Sequence, residues 1–340
     1  MKVVRLHGPG DMRLHEEQKP SPVAGEVLLK VGSIGICASD LHWFCEGSIG
    51  DATLRRPLVL GHEFSATVVD TGDPKLPVGT RVAVDPAIPC EQCEFCQHGH
   101  PNLCSNLRFA GHGQVDGAQR EYMPWPGRCC FPIPDAFSDA DGVVLEPLGI
   151  AIHAVNLAHM QPGMAVGVYG CGPIGLLALQ MARLAGAAAI YATDLYPHRL
   201  EAARSMGATA VFQAGGEEAA QILAATKGRG VDVAFEAAGE NPAVEMAVNT
   251  SKPGGRVVLI GIPSDDRVSF SASIARRKGL TIAMVRRMKL TYPRAIDLVA
   301  KGLVDVRSVV SHTFPLSAFS QAFEVAVKRE GIKIILEAGS

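Results

Sequence analysis

The chain has 340 residues, which at about 100–200 residues per domain predicts two domains with separate apolar cores and excludes a single small module. Apolar residues make up 47% and charged residues 19%, the balance of a folded globular protein and not of a disordered one. Lysine plus arginine (32) against aspartate plus glutamate (34) leaves a formal net charge of −2 with no long run of one sign, so neither nucleic acid nor an anionic membrane is expected as a partner.

The opening residues, Met1-Lys2-Val3-Val4-Arg5-Leu6, interleave charge with apolar side chains and lack the continuous apolar core of a secretion signal. Apolar stretches such as Ala185 to Ala192 fall well short of the roughly 20 residues that cross a bilayer, so no membrane span and a cytoplasmic location are expected. Nine cysteines is an odd count, and four of them crowd between Cys90 and Cys104, which in a reducing compartment points to metal and not to disulfides.

Residues 1 to about 145 carry short β-rich runs, such as Glu26 to Val31 and Thr67 to Asp70, broken repeatedly by glycine and proline. This half reads as a β-barrel with long loops. It holds Cys37-Ala38-Ser39-Asp40-Leu41-His42, then Gly61-His62-Glu63, and ends at Glu146-Pro147. A thiolate, an imidazole and a carboxylate from these segments make an open zinc site. Taken singly, each residue is as easily a buried structural group; together they gain weight from the nucleotide-binding half of the chain.

Between them lies C-x2-C-x2-C-x7-C, formed by Cys90, Cys93, Cys96 and Cys104 in a polar loop. Four thiolates suit a closed tetrahedral zinc that staples a loop and leaves no position for chemistry. An iron–sulfur cluster is the rival reading of the same spacing.

From about Gly163 strands and helices alternate. Ala165 to Tyr169 reads as a buried strand and Ile174 to Ala185 as a helix; Ala189 to Thr193 is the next strand and Pro197 to Met206 the next helix. Val231 to Phe235 and Arg256 to Ile260 are later strands. Such alternation specifies a doubly wound parallel sheet. After about Val285 it lapses, leaving a helix from Pro293 to Lys301 and a last apolar run, Lys333-Ile334-Ile335-Leu336, which we assign to the first domain. The expected division is therefore residues 1–150 with 286–340, and 151–285, with a cleft between them.

Gly170-Cys171-Gly172-Pro173-Ile174-Gly175 joins a strand directly to a helix. In this G-x-G-x-x-G run Gly170 allows the turn, Gly172 lets backbone approach a pyrophosphate, and Gly175 lets helix and strand pack closely, while the helix start faces the phosphates. Asp194 ends the next strand 19 residues after Gly175, where a carboxylate accepts from the adenosine ribose hydroxyls and repels a 2′-phosphate. NAD is therefore expected over NADP. Arg199, five residues on, reads equally as a partner of the adenosine ribose or as an exposed helix residue.

A dehydrogenase that removes hydride from an alcohol must stabilise the alkoxide, and an open zinc does so as a Lewis acid. The order Cys-x-Ser-Asp-x-His, Gly-His-Glu, four-cysteine lobe, Glu-Pro-Leu and Gly-x-Gly-Pro-Ile-Gly resembles the zinc-dependent medium-chain alcohol dehydrogenases over essentially the whole chain. It is most similar to their polyol (sorbitol, L-iditol) and L-threonine dehydrogenase branch, because Glu146 stands where simple alcohol dehydrogenases place a third zinc-binding cysteine.

The resemblance implies an α/β protein with a GroES-like, β-rich catalytic domain and a Rossmann domain, two zinc ions per subunit, and a homotetramer. It implies Cys37 and His62 as ligands of a catalytic zinc, completed by Glu63 or Glu146, and Cys90, Cys93, Cys96 and Cys104 as ligands of a structural one. Ser39 corresponds to the family's proton-relay hydroxyl, His42 to the group that passes the proton onward, and Asp40 to a residue that orients the site. Gly170, Gly172, Pro173, Ile174, Gly175, Asp194 and Arg199 correspond to the NAD site. The substrate implied is a small polyol or sugar derivative whose secondary hydroxyl becomes a ketone, with pocket walls from Trp43-Phe44 and from Phe109 to His112. Two departures stand out. Ala66 replaces a glycine, and Met288, after Arg287, replaces a tyrosine that contacts substrate in the sorbitol enzymes. The basic run Arg286, Arg287, Lys289 reads either as a seat for a sugar-acid carboxylate or as a solvated turn. A sugar-acid (L-idonate-type) or amino-alcohol (L-threonine-type) substrate is thus the alternative, and a non-catalytic nucleotide-binding relative a more distant one.

Overall fold

A computed structural model describes residues 1–339. The described chain divides into two compact units, residues 1–146 with 292–300 and 306–339, and residues 147–291 with 301–305.

The first unit is built on a sheet in the order Cys130–Pro132, Arg81–Val84, Glu63–Thr71, Glu26–Ile36, Lys333–Glu337 and Val310–Pro315, with Tyr122–Pro126 also pairing on Glu26–Ile36. Val27, Leu29, Val31, Ile34, Phe64, Val68 and Leu336 fill its core, the alternating apolar positions of these strands. Two strands run further than their composition suggests: the segment expected to stop at Val31 continues to Ile36, and the one expected over Thr67 to Asp70 spans Glu63–Thr71. Gly32 and Gly35, which read as breaks, instead leave room on the strand for the carboxylates of Asp139 and Glu63, which a Cβ at either position would strike.

The second unit is a six-stranded parallel sheet ordered Ala210–Gln213, Ala189–Asp194, Ala165–Tyr169, Val231–Glu236, Ser251–Leu259, Thr281–Met284. In chain order this is 3-2-1-4-5-6, the doubly wound dinucleotide-binding arrangement, whose strand order reverses between Ala165–Tyr169 and Val231–Glu236.

The boundaries sit a few residues from those expected. The chain leaves the first unit inside the helix Asp139–Ala158, between Glu146 and Pro147, and not at 150. Residues 286–291 belong to the second unit because Met288 and Thr291 pack on Gly149, where a Cβ would come within 2.7 Å of both side chains. Residues 301–305 join it through a two-way bond: Gln180 Nε2 donates to the Asp305 carbonyl at 2.9 Å and Asp305 N donates to Gln180 Oε1 at 2.8 Å. The 20-residue helix Asp139–Ala158 has the length and hydropathy of a membrane span, which corrects the expectation that no stretch does; 78% of its most apolar window is buried within the protein, as in a core helix.

Candidate active site

The helix Ala38–Glu46 begins directly after Cys37, in extended conformation, and places Ser39, Asp40 and His42 on its first turns. Asp40, fully buried, organises what surrounds it. Its Oδ2 accepts from Cys37 N at 2.9 Å, its Oδ1 accepts from Gly61 N at 3.3 Å, and the same oxygen lies 3.5 Å from His62 Nδ1. One carboxylate thereby ties the Cys37 loop to the Gly61-His62-Glu63 segment and engages the inner nitrogen of His62, leaving Nε2 for the site. Burial works against a charge on His62, but Asp40 and then Cys37 raise its pKa well above the ordinary imidazole value, the environment of a ring built to face a cation.

Cys37, His62 and Glu63 offer donor atoms that all lie within 4.8 Å of one another. Thiolate, imidazole and carboxylate from three residues suit zinc with a fourth position open, so the donor set fits the metal the sequence calls for. Of the two carboxylates that sequence left in play, the structure brings Glu63 into this trio; Glu146 is outside it. Glu146 is buried nearby. Burial pushes its carboxyl up to about 8; Glu63 and Asp85 add to the shift while His62 and Lys333 oppose it. Ser39 Oγ lies 3.4 Å from His62 Nε2, and His42, one turn along the same helix face, pairs through Nδ1 with Glu46 Oε1 at 3.2 Å. Phe109 stands over His62, with ring centroids 5.3 Å apart. Trp43 is buried and meets the edge of the His112 ring with centroids 5.5 Å apart, while Phe44 packs on Phe323.

Lys333 is the participant that sequence reasoning missed. It occupies the first position of the last strand, and its Nζ donates to Glu63 Oε2 at 2.6 Å. Its only signal was a charge at the head of an apolar run.

The sulfurs of Cys90, Cys93, Cys96 and Cys104 also gather within 4.8 Å of one another, with Cys93 and Cys96 3.5 Å apart. Tetrahedral zinc with bonds of about 2.3 Å sets thiolates about 3.8 Å apart, so the ring suits one ion; several irons would spread it further. Cys90 Sγ accepts from Cys93 N at 3.4 Å and Cys104 Sγ from Cys90 N at 3.2 Å. Backbone N–H groups of Cys96 and Ser105 pull the Cys93 thiol down, while burial and the hydrogen bond with Cys93 push its neighbour Cys96 up.

In the second unit the three glycines do the separate jobs expected. Gly170 has φ +97, Gly175 lies against the Gly170 carbonyl where a Cβ would collide, and a Cβ at Gly172 would meet nothing nearer than Arg199 Nη1 at 3.8 Å. Pro173 and Ile174 open the helix Pro173–Leu184. Asp194 accepts from Cys171 N at 2.7 Å and from Tyr196 N at 2.9 Å, bracing the loop while keeping lone pairs for a ribose. Arg199 lies beside the glycine loop, over the Tyr196 ring at 5.2 Å, and not out on an exposed helix face. Arg287 takes left-handed backbone (φ +58), and Met288 is buried.

The family model described as "Alcohol dehydrogenase GroES-like domain" matches residues 23–135, and "Zinc-binding dehydrogenase" matches residues 173–301. A sorbitol dehydrogenase of Bacillus subtilis is 35% identical over 341 aligned positions, covering 99% of this chain and 97% of that one. The chain belongs to the zinc-dependent medium-chain alcohol dehydrogenases. Within them it falls in the polyol dehydrogenase branch. Solved members superpose over its full length: an E. coli alcohol dehydrogenase crystallised with NADH (30% identity, 99% of each chain, TM-score 0.91) and an L-idonate 5-dehydrogenase of Escherichia coli (27% identity, 99% and 97%, TM-score 0.92).

Proposed function

We propose that this dehydrogenase oxidises a secondary hydroxyl of a polyol or related sugar derivative to a ketone with NAD, and catalyses the reverse reduction. The observation that carries the reading is the meeting of Cys37, His62 and Glu63 beside Ser39, in a chain with a sorbitol dehydrogenase relative along nearly its whole length.

When bound by that trio, zinc supplies a Lewis acid that draws charge from the substrate oxygen. The protein's own groups do the rest. Asp40 fixes the His62 ring, and Ser39, beside the outward nitrogen of that ring, takes the substrate proton. His42, on the same helix face and paired with Glu46, relays it outward. Asp194 accepts from the adenosine ribose and repels a 2′-phosphate, while Arg199, next to Gly172, supports the phosphates. The four-cysteine lobe holds a second, structural zinc. A homotetramer in the cytoplasm completes the reading; it is supported by the family resemblance.

The L-idonate 5-dehydrogenase likeness and the basic run Arg286 to Lys289 favour a sugar acid as the second reading, but the sorbitol dehydrogenase relative is nearer in sequence. A complete donor trio argues against a non-catalytic role. Purified protein assayed with NAD against sorbitol, xylitol, L-idonate and L-threonine tests the choice. Highest kcat/KM with a sugar alcohol is expected, and highest kcat/KM with L-idonate or L-threonine would replace it.

A further inference from the structure

Glu63 is gripped from behind. Lys333 precedes Ile334, which pairs with Ile36 in the neighbouring strand, and this register turns the lysine inward until its side chain is 2% exposed. Lysine almost never occupies such a position without a partner, because its charge must leave water. Here the partners are the Ile36 carbonyl, which accepts from Nζ at 3.2 Å, and Glu63 Oε2 at 2.6 Å. On the other side the same oxygen rests against the bare backbone of Gly35, where a Cβ would strike it. One oxygen of the Glu63 carboxylate is thus committed to an ammonium and a strand, while the residue as a whole stands among the metal donors.

We infer that Lys333 is a positioning residue of the metal centre. By holding Oε2, it makes Glu63 a one-oxygen ligand and keeps the second oxygen from occupying the position a substrate hydroxyl needs. It also adjusts charge: Cys37, Glu63 and the buried Asp40 surround the metal position with negative charge, and the ammonium offsets one of these, a change in the direction that favours loss of a proton from a hydroxyl. The inference rests on the reading of Cys37, His62 and Glu63 as the zinc ligands.

Cobalt substitution separates the two claims. The visible spectrum of the cobalt-loaded protein, taken as a difference against His62→Ala, isolates the catalytic site from the four-cysteine lobe. No thiolate-to-cobalt band in that difference for the native chain would overturn the ligand reading itself. Where the band is present, Lys333→Met is expected to weaken the d–d absorption as the coordination number rises and to lower metal retention against a chelator by about 10-fold or more, as loss of a ligand's supporting partner does. Lys333→Arg is expected to retain the native spectrum, and in a Glu63→Gln background Lys333→Met should change nothing further. Lys333→Gln, which keeps a polar head in the buried position, carries the same expectation where Lys333→Met does not fold. A folded Lys333→Met or Lys333→Gln protein with the native spectrum and native metal retention would overturn the role of Lys333, as would effects that simply add to those of Glu63→Gln.

Discussion

Ser39 and His42 share one helix face but differ in their distance from the chemistry. Ser39 touches His62, whereas His42 is paired with Glu46 at the outer end of the path, where water can replace it. Ser39→Ala should therefore cut kcat strongly, and His42→Ala should cost only about 10-fold and mainly reshape the pH profile. Steady-state kinetics with deuterated substrate, where hydride transfer limits the rate, checks this; native kcat in Ser39→Ala would remove the relay. Asp194 offers a second test. Because its carboxylate both accepts from ribose and braces the glycine loop through Cys171, Asp194→Ala should lower kcat/KM with NAD and narrow the preference over NADP. Equal native kcat/KM with both cofactors would show that Arg199 outweighs it. At this scale the donors were legible because Cys37, His62 and Glu63 sit in short motifs whose neighbours also have jobs. Asp40 was legible for the same reason. Lys333 was not, since its partner lies 270 residues away and only strand register brings the two together. Nor could spacing choose between Glu63 and Glu146, because that choice depends on where the helix Asp139–Ala158 starts relative to the strand Glu63–Thr71.

Two elements make contrasting predictions about stability. The four-cysteine lobe has no buried residue in its short helix Glu94–Gln97, so metal is what can hold it. Cys93→Ser should lower the thermal midpoint and the zinc content by one ion while leaving turnover of the surviving folded protein nearly native; loss of turnover in fully folded protein would contradict a purely structural lobe. The parallel sheet is instead tied at its strand starts by Asp232. Its carboxylate receives Arg229 at 2.7 and 2.9 Å, Lys252 at 2.6 Å and the backbone N–H of Ala165 at 2.9 Å, with the side chain 6% exposed. These partners, Arg229 first, hold its pKa well below the usual carboxylate range against the opposing effect of burial. A depressed folded pKa contributes stability above the unfolded value of about 4, and that contribution fades as pH falls through the folded value. Asp232→Asn should accordingly be less stable than the native chain at pH 7, by about 2 kcal/mol, and the difference should shrink progressively below about pH 4. Thermal denaturation of both proteins across that range checks the sign; a gap that widens in acid would refute it.

For the whole molecule, sequence alternation was enough to read the parallel sheet and its glycine loop, because the central strands Ala165–Tyr169, Ala189–Asp194 and Val231–Glu236 are buried on both faces and the helices Pro173–Leu184 and Pro197–Ser205 start at a proline. The β-rich unit was read less sharply. Its strands are paired across long separations, Glu26–Ile36 with Lys333–Glu337 among them, and glycines within them serve packing and do not mark ends. Unit boundaries moved for a similar reason: a helix that continues through Pro147, and a Met288 packed on Gly149, leave no composition change to read. What unites the two units functionally is the claim that one supplies a zinc-held hydroxyl site and the other a nicotinamide site. Its most direct test is NADH formation from a sugar alcohol by native protein and by His62→Ala, with zinc counted in each. We predict two zinc ions and turnover in the native protein, and one zinc ion with turnover abolished in the folded variant. Native turnover in His62→Ala, or two zinc ions retained by it, would contradict the account.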